Sequence, residues 1–186
     1  MTKKSMVMTT ESLDATPEPP KATRKTRRPR KKASPAATKK LPSNPFMNEI
    51  FELVSEQKTD DGKIAILKEY ECDILKSLFI WNFDDSVISL LPQGTVPYKP
   101  NENPLGTDHS SLRREQRSLY NFVKGGNDQL STIRRETIFI QMLEGLHPKE
   151  ADIVIAVKDG NLEDMYDIPF EVVEDAYPDI QWGGRS

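Results

Sequence analysis

The sequence predicts an all-α protein: a small orthogonal helical domain of about six to eight short helices with a proline-rich strap, preceded by a disordered basic arm. Three observations predict it. From Phe46 onward, apolar residues recur at three- and four-residue spacing, the helical period. Cap and breaker residues punctuate that pattern every ten to fifteen positions or so. Residues 1–45, in contrast, hold almost no large apolar side chains, and they carry 12 Lys and Arg against 3 Asp and Glu. Residues 46–186 reverse the balance, with 14 against 26. A net of +9 is thus joined to a net of −12, which the overall −3 conceals.

The 186 residues suffice for one domain plus a tail. Mean hydropathy is −0.62, and no apolar run nears the roughly 18–20 residues that span a bilayer, so no membrane partner is expected. No apolar segment comes after the first basic residues, so the N-terminus does not read as a secretory signal. The single cysteine, Cys72, has no internal disulfide partner.

In the arm (1–45), Pro17, Pro19, Pro20, Pro29, Pro35, Pro42 and Pro45 accompany the charge. Such a segment buries too little surface to offset its ordering entropy. Its basic core, KATRKTRRPRKKASPAATKK, resembles in composition the tails of linker histones and bacterial histone-like proteins. Lys21, Arg24, Lys25, Arg27, Arg28, Arg30, Lys31, Lys32, Lys39 and Lys40 are the candidate nucleic-acid contacts. Clustered cations neutralise phosphates and release counterions, giving salt-sensitive, sequence-independent affinity. With no aromatic residue in 1–45, the arm has nothing on which to stack bases.

The helical domain (46–186) opens with PFMNEIFELVSEQ, whose Phe46, Ile50, Leu53 and Val54 share a face, with Ser43 or Asn44 as cap. Asp60-Asp61-Gly62 starts a second helix over Lys63–Tyr70, facing Ile64, Leu67 and Ile66 inward. A third, Cys72–Trp81, turns Ile74, Leu75, Leu78 and Phe79 to the core, and Cys72 is expected there as a small packed residue. Asn82–Pro92 reads as a short helix or a turn capped by Asp84 or Asp85. The strap region, 82–110, contains Pro92, Pro97, Pro100 and Pro104, which forbid regular helix. We expect it to pack across the helices with Tyr98 as anchor.

SLRREQRSLYNFV is the next helix, capped by Asp108 or Ser110, with Leu112, Leu119, Tyr120 and Val123 as its buried stripe. Lys124-Gly125-Gly126-Asn127-Asp128 reverses the chain, the glycines allowing positive φ and Asn127 or Asp128 capping the next helix. That helix, Ser131–Leu146, is expected to be central. Leu130, Ile133, Thr137, Ile140 and Leu143 mark one stripe, and Ile138, Phe139, Met142 and Leu146 fill much of the remaining circumference. Pro148 suits a first helical position and Glu150 and Asp152 its first turn, before the apolar run Ile153–Val157. A turn at Asn161–Tyr166 and a helix from Pro169 to Ala176 complete the chain, and Trp182 either folds back or faces a partner.

LLPQGTVPYKPN and LYNFVKGGNDQLSTIRRETIFIQMLEGLHPKEA carry a resemblance. From about Leu90 to Trp182 the chain resembles an uncharacterised family of T4-like tailed bacteriophages. The resemblance implies a phage gene product in the cytoplasm of an infected bacterial host, or in the virion. It implies no activity and no residue roles.

No catalytic set, metal-ligand spacing, phosphate loop or cofactor motif is read here. Asp60-Asp61 and Asp84-Asp85 are better as caps than as metal ligands. His109, between Asp108 and Ser110, is not a triad, since sequence adjacency is not triad geometry. Arg113, Arg114, Arg117, Arg134 and Arg135 form a possible second anion patch, although pairing with Glu115 and Glu136 is their plainer use. The expectation is therefore a non-enzymatic protein whose arm binds the nucleic-acid backbone and whose domain docks a phage or host protein. The alternative is a virion or interaction component without a nucleic-acid role.

Overall fold

The structure is a computed structural model and describes residues 40–104, 107 and 109–183. Among these residues there are eight α-helices, one 3-10 segment and two isolated bridges, with no strand. The expected all-α class holds. The expected disorder of the arm falls on residues outside those described, save for its last few.

α1 (Met47–Ser55) begins one residue after Pro45 and Phe46. Its cap is Phe46, not Ser43 or Asn44: the Glu49 carboxylate folds back to accept the Phe46 N–H at 2.9 Å. Ile50, Leu53 and Val54 are buried as the spacing requires, joined by Met47 and Phe51. α2 (Asp60–Glu69) is capped by Thr59, whose hydroxyl accepts the Gly62 N–H, and it buries Ile66 and Leu67. α3 (Asp73–Phe83) buries Ile74, Leu75, Leu78 and Phe79, as its pattern predicts. Cys72 is its half-buried N-cap residue, packed against the core.

Residues 84–91 are a turn rather than a helix. The buried Asp84 carboxylate accepts the N–H groups of Ser86 at 2.9 Å and Gly183 at 3.2 Å. Further on, the predicted helix over 111–123 changes winding. α4 (Leu112–Glu115), preceded by Ser111, passes directly into a 3-10 segment, Gln116–Phe122. In place of Tyr120 and Val123, Phe122 is the fully buried residue beside Leu112 and Leu119, and Tyr120 is 53% exposed.

α5 (Thr132–Gly145) is capped by Ser131, which accepts the Arg134 N–H, and not by Asn127 or Asp128. It is not the hub. Ile133 is 79% exposed, and the buried face is Arg135, Phe139, Met142 and Leu143. The hub is α6 (Pro148–Lys158), which packs on α1, α3, α5 and α7 (Leu162–Tyr166). α8 (Phe170–Ala176) packs on α2, which also packs on α1. Two aromatic chains thread the interior. Tyr177, Phe79 and Phe51 form one, with centroids 6.0 and 5.7 Å apart; Trp81, Phe122 and Phe139 form the other, at 6.2 and 5.1 Å. Trp182 folds back, edge-on to Phe170 at 5.0 Å.

The strap is pinned at the end of α6 and at the end of α5. At its start the buried Lys158 ammonium donates to the carbonyls of Pro92 at 2.8 Å and Gly94 at 3.2 Å, while Asp159 accepts the Gly94 N–H. Midway, Tyr98 is half-buried against the core, as its anchoring role requires, and the Lys99 N–H reaches Glu144 at 3.3 Å. At its end, the Ser110 N–H donates to the Gly145 carbonyl at 2.7 Å. Side chains supply most of these partners: a lysine donates to two strap carbonyls, and two carboxylates accept strap N–H groups.

Glu150 is fully buried. One carboxylate oxygen accepts the Met47 N–H at 3.0 Å and the other the Leu112 N–H at 3.1 Å. Met47 and Leu112 are the first residues of α1 and α4, and Glu150 lies in the first turn of α6. One carboxylate therefore answers the free N–H groups of two helix starts and sits at a third. Burial still pushes its carboxyl above the usual range, against the two backbone bonds. Glu150→Gln keeps the shape but turns an amide N–H toward a backbone N–H. We expect it to cost about 2–4 kcal/mol in urea unfolding. Unfolding midpoints equal to the parent's would refute this keystone role.

Candidate functional site

Of the ten arm cations, only Lys40 lies among the described residues, and it is exposed. Lys21, Arg24, Lys25, Arg27, Arg28, Arg30, Lys31, Lys32 and Lys39 fall outside them. The chain enters the domain at a fixed point: the Leu41 N–H donates to the Tyr70 hydroxyl at 3.1 Å, and Leu41 packs on the core.

The second set of arginines divides. Arg135 is buried, with Nε 2.7 Å from the Asn121 carbonyl and a terminal nitrogen 2.9 Å from that of Asn127. It ties the first turn of α5 to the reversal and has no surface to offer an anion. Arg113 is half-buried, its Nε donating to the Pro45 carbonyl at 3.4 Å. Arg114, Arg117 and Arg134 are exposed. None of these arginines makes an ion pair among the described residues, where all the ion pairs use lysine. The expected pairing with Glu115 is absent there. That carboxylate instead accepts the hydroxyls of Ser110 at 2.6 Å and Ser118 at 3.4 Å.

The change of winding gives two exposed side chains of the segment, those of Arg117 and Tyr120, a common face. A 3-10 helix has three residues per turn, so positions i, i+3 and i+6 eclipse. Arg117 and Tyr120 stand one such turn apart within Gln116–Phe122, Arg114 lies just before it in α4, and all three are exposed. The result is a guanidinium group and a phenol ring side by side in register, with a second exposed arginine in the turn before them, on an otherwise acidic domain. Arginine and an aromatic face together suit phosphates and bases. Sequence reading misses Tyr120 because a period of 3.6 puts it inside. No local signal in the sequence marks the change of winding; in the fold, Gly126 leaves no room for a side chain, since a Cβ there would fall 1.9 Å from the Tyr120 carbonyl oxygen. Gly125 has φ +83° and its N–H donates to Asp128 at 3.0 Å, so this turn serves the reversal rather than a phosphate.

The two histidines meet at the start of α6, ring centroids 5.3 Å apart and nearly perpendicular. His109 Nε2 is 2.7 Å from the Asn103 carbonyl, and His147 Nδ1 accepts the Lys149 N–H as the helix cap. Ser110 points to Glu115, so the Asp108-His109-Ser110 run makes no Ser–His contact. Burial lowers the His147 pKa first, the adjacent His109 and Lys149 lower it further, and Asp152 opposes them. No group of three or more metal-ligating side chains occurs among the described residues.

Residues 50–164 match a family of unknown function (DUF6433). The chain belongs to this family. No curated protein and no solved structure matches it. The DUF6433 match begins inside α1, well upstream of the Leu90 start that the phage-like segments suggest, and ends inside α7. It covers the strap, Arg114, Arg117, Tyr120, Arg135, Glu150 and both histidines, and leaves the arm outside.

Two side chains make this arrangement testable. Arg135→Met should cost about 2–4 kcal/mol by orphaning two carbonyls at the reversal, while Arg134→Met should change stability by no more than about 0.5 kcal/mol. Denaturant melts of the two variants compare them directly. His147, being depressed, contributes stability that is full above the unfolded value of about 6.5 and is lost as pH falls through the folded one. The melting temperature should therefore fall between about pH 7.5 and 5, less steeply for His147→Asn, which can still cap α6. Parallel pH profiles would rule this out.

Proposed function

We propose that this DUF6433 member is a non-enzymatic phage protein that associates with nucleic acid through its basic arm and docks a protein partner through its helical domain. The carrying observation is the charge division within one chain, +9 over residues 1–45 and −12 over the rest. Cations spaced by Ala, Pro, Ser and Thr suit the phosphate backbone without reading sequence. Arg114, Arg117 and Tyr120 support this reading with exposed basic and aromatic side chains on the domain itself. Their ring supplies the stacking surface that the arm lacks. The phage assignment rests on the LLPQGTVPYKPN and KGGND-to-LEGLHP segments, and with it goes a location in the cytoplasm of the infected host.

Titration of labelled duplex and single-stranded DNA at a series of salt concentrations tests it. Each duplex phosphate no longer neutralised should flatten the log K against log salt slope by about 0.9. Changing Arg27, Arg28, Arg30, Lys31 and Lys32 to Gln should therefore flatten it by roughly four to five. Tyr120→Leu should weaken single strands by about 1–3 kcal/mol and leave duplex binding unchanged. Equal, weak binding by the parent and the neutralised chain would end the proposal.

A further inference from the structure

α6 leaves one stripe only partly covered by its neighbours. Asp152, Ile155, Ala156 and Asp159 are spaced i, i+3, i+4 and i+7, and together with α7 they line an open groove of about 380 Å3. Its floor is apolar: Ile155, Ala156 and, from α7, Met165, which is 47% exposed. Its walls carry Asp152 and Asp164. Asp159 at one end is already spent on Lys158 and the Gly94 N–H. Asp152 and Asp164 have no ion pair among the described residues. Burial holds the Asp152 carboxyl above the usual range, and His147 opposes that shift. Asp152 and Asp164 are both exposed at the surface.

These features select the occupant. The negative field of residues 46–186 repels anions, so nucleic acid and acidic segments are disfavoured here. An apolar floor does nothing for a bare cation. The groove is open, unlike the enclosed clefts that hold small molecules. A segment with an aliphatic anchor flanked by cations satisfies both the floor and the walls, and two neighbouring helices present a natural bed for a third. We infer that the α6–α7 groove docks a Lys/Arg-bearing amphipathic helix of a partner protein, its aliphatic anchor on Met165 and its cations beside Asp152 and Asp164. The inference rests on the docking half of the proposed function and is independent of the nucleic-acid half.

The probe is a labelled peptide of about 16 residues, long enough to form a helix, with Leu anchors flanked by Lys and Arg at i, i+3 and i+7. A matched peptide carries Glu in place of the cations. Titrated into the full chain, the basic peptide should bind and the acidic one should not. Asp152→Lys with Asp164→Lys should weaken binding about tenfold or more. Met165→Ser should weaken it about fivefold. Glu174→Lys with Asp175→Lys, exposed on α8, changes net charge equally and should leave affinity within about twofold. Circular dichroism checks folding. If the double variant unfolds, Asp164→Lys alone, at an exposed position, carries the test. No binding, equal loss in both double variants, or capture of the acidic peptide overturns the inference. So does a dimer, seen by sedimentation, that excludes the peptide, since the occupant would then be a second copy. DNA titrations with the same variants separate the two halves of the reading. Failure of the peptide to bind a chain that still binds DNA removes the groove, and the reverse removes the arm's role.

Discussion

The domain depends on one buried carboxylate. Helix starts expose N–H groups that a small fold must satisfy wherever it buries them. Here α1, α4 and α6 begin close together, and Glu150 answers two of them while standing in the third. An apolar residue could fill the space but would orphan two donors. Burying a charge is costly, and the raised carboxyl shows that cost, but the positive ends of the helices lie around it. The arrangement also fixes register. Met47 and Leu112 are far apart in sequence, so the first residue of each helix is set by the same side chain.

Lysines organise the periphery in a similar way. Lys63, on α2, is buried and bonds both the carbonyl and the carboxylate of Asp167, the left-handed residue that ends α7. Lys158, on α6, holds the first carbonyls of the strap. Each buried ammonium caps backbone that turns away from a helix, and each has a carboxylate beside it. The long aliphatic stems of these residues fill core volume while their heads reach polar backbone.

Much of this was legible in the sequence. The apolar spacing located α1, α2, α3 and α8, and the prolines located the strap, because those signals are local. What escaped depends on tertiary contact. Glu150 reads as an ordinary first-turn acid, since nothing nearby in sequence shows the two N–H groups it serves. Arg135 reads as surface because its partners, Asn121 and Asn127, become acceptors only once the reversal is formed. α5 looks apolar all round, yet Ile133 is exposed and α6 takes the centre, a distinction that spacing alone does not carry. The candidate site was half readable: the arginines stood out, and the ring beside them did not.

The 3-10 winding of Gln116–Phe122 has a consequence for surface chemistry. Three residues of α-helix, at about 100° each, would leave Tyr120 some 60° away from Arg117 around the axis, by roughly 3.6 residues per turn. Three residues per turn return it to the same meridian. Which side chains are neighbours at this surface is thus decided by pitch alone, with composition unchanged. Backbone bonds close off the segment's C-terminal end, the Phe122 carbonyl accepting the Leu90 N–H and the Ile88 carbonyl accepting the Lys124 N–H, and Gly126 packs close to the Tyr120 carbonyl. A methyl group added at residue 126 would collide with the Tyr120 carbonyl, and so disturb a surface whose own residues it never replaces.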